Sequence, residues 1–98
     1  MNDLFLTKDQ LWTIRKEWQE FIAGHHPEDE MIILKILKYM EPSERVFIKR
    51  AYGVSGKQFK ENLAISAEEV GIPVDYGWVL LRFAEGKFGL LKGWIGRE

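Results

Sequence analysis

Apolar side chains recur every three or four residues along most of this chain. Leu11, Ile14, Trp18 and Phe21 line one side of a helical wheel, with Arg15, Lys16, Glu17, Gln19 and Glu20 on the other, the pattern of an amphipathic helix. Farther along, Ile32, Ile33, Leu34, Ile36, Leu37, Tyr39 and Met40 are interrupted only by Lys35 and Lys38. A helix apolar on nearly every side is expected at the centre of the core. Leu81, Ala84, Phe88, Leu91 and Ile95 repeat the helical step, with Arg82, Glu85, Gly89 and Lys92 opposite. Gly86, Gly89 and Gly93 work against that helix, each by about 1 kcal/mol relative to alanine. The competing pattern is a β-hairpin, with strands Gly77–Phe83 and Lys87–Ile95 turning at Glu85-Gly86. The spacing favours a helix.

Helix starts punctuate these stripes. A capping residue followed three positions later by Glu or Gln satisfies the free N–H groups of a first turn, and flanking apolar residues fix the entry angle. Thr7/Gln10 with Leu6 and Leu11, Ser55/Gln58 with Val54 and Phe59, and Ser66/Glu69 with Ile65 and Val70 all fit. Asp75 is a fourth candidate cap, and Pro27 and Pro42 suit the first helical position, where a missing N–H costs nothing. Gly24, Gly53 and Gly71 are the matching stops. Helices are therefore predicted near 7–23, 27–40, 42–52, 56–64, 67–70 and 76–93. With no linker or repeat, the expectation is an all-α, single-domain bundle of five to six short helices over residues 1–98.

Composition narrows the chemistry. The 98 residues contain no cysteine, which excludes a disulfide framework, a thiolate zinc site and a cysteine nucleophile. His25-His26 beside Glu28, Asp29 and Glu30 reads as a polar turn whose acids complement the next helix dipole, so no metal is expected. Ser43, Ser55 and Ser66 are explained by helix starts, and Glu68-Glu69 are adjacent and point apart. No catalytic residue, cofactor or small-molecule substrate is predicted, and no pocket lined by converging polar groups is expected. The apolar run Met31–Leu34 is far short of a membrane span. Leu4-Phe5-Leu6 follows no basic segment, so a secretory signal is not expected, and the cysteine-free chain suits a cytoplasm of bacterial or phage type.

Charge is uneven despite a net value of −1. Residues 1–34 carry three basic and seven acidic groups, whereas residues 35–60 carry seven basic and two acidic. Arg45 and Lys49 lie four apart on one helix face, with Arg50 beside them. The pair repels unless an anion answers it, a phosphate backbone being one such anion, and Glu41 with the acidic N-terminal helix is expected to neutralise it within the fold. Four tryptophans in 98 residues are more than so small a core obviously needs, and aromatic residues are enriched at interface anchors. Gly86, Gly89 and Gly93 align as a groove for another helix. The leading expectation is a non-enzymatic regulatory protein that binds another protein or itself through Arg45, Lys49, Arg50, Trp78, Phe88 and Trp94.

A second reading rests on a resemblance. Met40-Glu41-Pro42-Ser43-Glu44-Arg45-Val46 resembles the opening of the first helix in helix-turn-helix domains of the sigma-factor region-four and LuxR types. Gly53-Val54-Ser55, Leu63-Ala64-Ile65-Ser66 and Val70 fall at the spacing of their second helix, turn and recognition helix. A second register pairs Ser66–Gly71 with a recognition helix over Asp75–Glu85. The resemblance implies a DNA-binding transcriptional regulator contacting phosphates through Lys57, Lys60 and Arg82. The recognition helix of the first register would begin Ala67-Glu68-Glu69, acidic where phosphates approach.

Overall fold

A computed structural model describes residues 6–53 and 58–95. It contains five helices, α1 (Lys8–Ile22), α2 (Glu30–Lys38), α3 (Pro42–Ala51), α4 (Phe59–Val70) and α5 (Val74–Lys92), and no strand among the described residues. The all-α expectation holds. Residues 74–92 are one helix, so the hairpin alternative is not realised.

The punctuation was partly legible. Thr7 caps α1 by accepting from the Gln10 N–H (3.1 Å), and the Gln10 side chain accepts from the Thr7 N–H (2.9 Å). Pro42 opens α3, where the Glu41 N–H donates to Glu44 Oε1 (2.9 Å). Gly71 ends α4 in the left-handed region (φ 89°), and Ile72 donates back to the Ala67 carbonyl (2.9 Å). Gly24 does the same after α1, whereas Gly53 has no positive φ.

Three expected starts moved, and a fourth falls out of view. Ser66 lies inside α4 and is 2% exposed, so the helices expected at 56–64 and 67–70 are one element. Leu63, Ser66 and Ala67 form its inward stripe, and the N–H groups after Ser66 bond one turn back along the helix, which leaves nothing to cap. Near Pro27, α2 begins only at Glu30, after a turn in which the Asp29 N–H donates to Glu17 Oε1 (3.0 Å). Asp75 occupies the first turn of α5, which Pro73 precedes as the capping residue. The start expected at Ser55 lies outside the described residues.

The centre of the bundle is also not where hydrophobic density placed it. α5 packs against all four other helices, and α3 and α4 form the most extensive pair. Within α2, Ile33, Ile36 and Leu37 are buried while Met31 and Leu34 are exposed. The reason is close approach. A Cβ on Gly77 would sit 2.8 Å from Phe47 Cζ, so only glycine lets α5 lie this near α3. Behind it, the Trp18 and Tyr52 rings stack with centroids 5.0 Å apart, and Phe59 and Phe21 extend the aromatic core. At the far end of α5, Lys92 bridges to Asp29 (3.0 Å) and fastens the helix to the α1–α2 turn.

Candidate functional site

α5 buries Leu80, Leu81, Ala84 and Phe88, and its two flanks are built differently. On one flank, Trp78, Leu81, Arg82, Glu85 and Gly86 face Leu6, Leu11 and Arg15 across a pocket of about 310 Å³. On the other, Tyr76, Val79 and Phe83 join Tyr39, Met40 and Glu44 around a shallower depression of about 260 Å³.

The first flank is charged at its base. The Glu85 side chain is only 12% exposed and its Oε2 lies 3.9 Å from Arg15 Nε, an ion pair without a hydrogen bond. The Tyr52 hydroxyl approaches the same oxygen at 3.5 Å. Burial pushes the Glu85 carboxyl above its usual range, while Arg15, Tyr52 and Arg82 pull it back down. Burial likewise drives the Tyr52 hydroxyl well up, so it stays a neutral donor. Arg15 is held against the Phe59 ring, 4.2 Å from its centroid, as cation–π geometry favours. Its Nε–H is buried and finds no acceptor among the described residues.

The expectation that no pocket with converging polar groups would form is therefore overturned. Helical periodicity assigned Arg15 and Glu85 to solvated faces. Folding brings those two faces together, because α1 packs across α5 where both side chains project.

The second flank is apolar and open. Tyr76 is 41%, Val79 58% and Phe83 40% exposed on successive turns, and Tyr39 beside them is 66% exposed. Lys87 Nζ lies over the Tyr39 ring (4.8 Å), and the Tyr76 hydroxyl donates to Glu44 Oε2. Glu44 and Glu41 thus lie at the start of this flank and Lys87 at its far end. None of these four aromatic or aliphatic residues was among those expected to bind a partner, and Tyr39 was expected in the core. The signal available was the 76–79–83 spacing, obscured because those positions also read as ordinary helix.

The residues expected to bind a partner are scattered by the fold. Arg45 Nε donates to the Leu37 and Met40 carbonyls (2.9 Å each), closing the C-terminal end of α2. Arg50 pairs with Glu69 of α4, and no ion pair among the described residues joins Arg45 or Lys49 to Glu41 or the first helix. Lys49 is exposed and forms no ion pair among the described residues. Trp78 and Trp94 are half-buried against the core. Phe88 is 0% exposed, its ring 5.9 Å from that of Trp94. It is a core residue, and its place as a surface anchor is withdrawn, since the inward stripe of α5 carries it.

Of the residues tied to nucleic acid, Lys60 is exposed on α4, Arg82 lines the charged pocket, and Lys57 lies outside the described residues. The three glycines expected to form a groove part company: Ile95 and Leu6 cover Gly89, Gly86 lines the pocket between α1 and α5, and Gly93 ends α5 in the left-handed region. His26 Nδ1 lies 3.0 Å from Glu30 Oε1 at the surface, and no group of three metal-ligating side chains occurs among the described residues. No helix among them is long and apolar enough to cross a membrane.

Comparison with known proteins returns no matching family model, no matching curated protein and no matching solved structure.

Proposed function

We propose that this chain is a non-enzymatic regulatory protein of the cytoplasm that acts by binding another protein, taking an amphipathic helix of that partner onto the open flank of α5. One observation carries the reading. Tyr76, Val79 and Phe83 stand exposed at i, i+3 and i+7 beside Tyr39, on a helix whose opposite side is already packed in the core. That spacing is how a helix-in-groove interface anchors its apolar residues. The acidic group around Tyr76 and the lysine at the far end favour a partner helix with a cation at one end and an acid at the other. The cysteine-free sequence supports the cytoplasmic setting.

The test compares wild type with the double variant Val79→Glu, Phe83→Glu in affinity capture, followed by hydrogen exchange on the captured complex. The reading expects a protein held by the wild type, released by the double variant, and protected over an amphipathic helix. Both side chains are exposed, so circular dichroism and melting should match wild type. If sedimentation instead finds a dimer that the double variant dissociates, the occupant is a second copy. If neither a partner nor a dimer depends on these residues, the reading fails.

A second reading is DNA binding. α4 and α5 are joined by only Gly71-Ile72-Pro73, a connection of helix-turn-helix length, and Lys49 and Lys60 are exposed on the preceding helices. It ranks second because the first turns of α5 present Val74, Asp75, Tyr76 and Val79 rather than cations. Duplex binding that falls steeply with salt and weakens in Lys49→Ala, Lys60→Ala would support it. No binding at low salt would remove it.

A further inference from the structure

We propose that the pocket between α1 and α5 is a binding site for a small amphipathic organic anion, with its head group at Arg15 and Arg82 and its apolar body against Leu11, Leu81 and Trp78. This site is separate from the apolar flank. Its lining residues Trp78, Leu81, Arg82 and Glu85 lie on one side of α5, whereas Tyr76, Val79 and Phe83 lie on the other.

Three features converge. The first is shape. At about 310 Å³ the pocket reaches the lower end of the range for small-ligand sites, and it combines apolar walls with a few polar groups, as such sites do. The second is charge. Two arginines face one glutamate, and the one ion pair Glu85 makes among the described residues is with Arg15, at 3.9 Å. Arg82 forms no ion pair among the described residues. The pocket therefore keeps an excess positive charge among walls of leucine and tryptophan.

The third feature is an unused donor. The Nε–H of Arg15 is buried, with Glu85 Oε2 3.9 Å away and no hydrogen-bond acceptor among the described residues, and buried polar groups in native proteins are ordinarily paired. Stacking on Phe59 (4.2 Å) holds the planar guanidinium in place, so its remaining donors are already oriented for a carboxylate or phosphate. The apolar walls select against a bare inorganic ion and for an anion carrying a short hydrocarbon body. Carboxylate and phosphate heads share this chemistry.

The experiment titrates the full chain with hexanoate and butyl phosphate by calorimetry, with tryptophan fluorescence as a second readout of the Trp78 wall. Hexanol and hexylammonium serve as matched neutral and cationic probes. Expected is saturable binding of at least one anion, at least about tenfold tighter than hexanol. The tighter of the two anions identifies the head group. Arg82→Ala, an exposed position that leaves the core intact, should weaken anion binding about tenfold and leave hexanol unchanged. Phe83→Ser should leave it unaltered, which separates this site from the protein-binding reading. Absence of saturable anion binding, equal binding of hexanol or hexylammonium, or an Arg82→Ala variant with wild-type affinity would each overturn the assignment.

Discussion

The two flanks of α5 are within one turn of each other on the same helix, yet they end in opposite states. Trp78, Leu81 and Glu85 are drawn under α1 and the chain entering it, with Glu85 only 12% exposed at the base. Tyr76, Val79 and Phe83 carry as much apolar surface and keep 40–58% of their area exposed. Intrinsic helix propensity does not separate them. What separates them is which neighbour reaches which side. α1 covers one flank, whereas among the described residues no element beyond Tyr39 and Glu44 crosses the other. A large apolar side chain left open on a helix this well anchored is surface available to a partner. A carboxylate drawn into the covered flank must be compensated locally, here by Arg15, Arg82 and the Tyr52 hydroxyl.

The contrast can be tested most severely on the covered side. Leu81 is 2% exposed, so Leu81→Ala should destabilise the fold by about 2–5 kcal/mol, read as a shift of the urea midpoint at constant slope. Next is the close approach behind the helix. Gly77→Val places new carbons against the buried Phe47 ring and should cost about 1–3 kcal/mol. Gly89→Ala meets only the flexible tips of Ile95 and Leu6, and alanine's better helix propensity should offset that contact. Equal melting losses in the two variants would show that glycine is not there for packing against Phe47.

Glu85 supplies a pH test of the covered flank. Its carboxyl is raised in the folded state, so the native protein holds this proton to higher pH than the unfolded chain does. Between the ordinary carboxylate value and the raised one, stability must fall as pH rises. Glu17, also raised by burial, contributes the same sign. Glu85→Gln should therefore flatten, without abolishing, the decline of melting temperature across that window. An unchanged decline in the variant would mean that Glu85 is better solvated than its position beneath α1 implies. The smallest effect belongs to the open flank. Phe83→Ser should change stability by no more than about 0.5 kcal/mol, and a loss approaching that of Leu81→Ala would show that Phe83 is core rather than docking surface.

How much of this was legible depended on the range of the interaction. The Thr7 cap, the Pro42 start and the Gly71 stop are settled by groups within five residues of one another, and all three were read correctly. Ser66 was misread because a capping spacing and an inward helical stripe are compatible with the same letters. The choice between them depended on whether Leu63 and Ala67 had a neighbour to pack against. Arg15 and Glu85 are 70 positions apart in the chain, and each alone looks like a solvated charge. Phe88 looked like a possible anchor until the inward stripe of α5 buried it.

Local hydrogen bonding and helical periodicity determined from the chain alone that this protein is a set of short helices, with no thiol chemistry and a basic middle segment. Which helix became the spine, which flank was roofed over and where two charges met under cover were decided only on packing. Those outcomes depend on steric fit between distant side chains, such as Phe47 against the bare backbone of Gly77, and pattern along one dimension does not record fit in three.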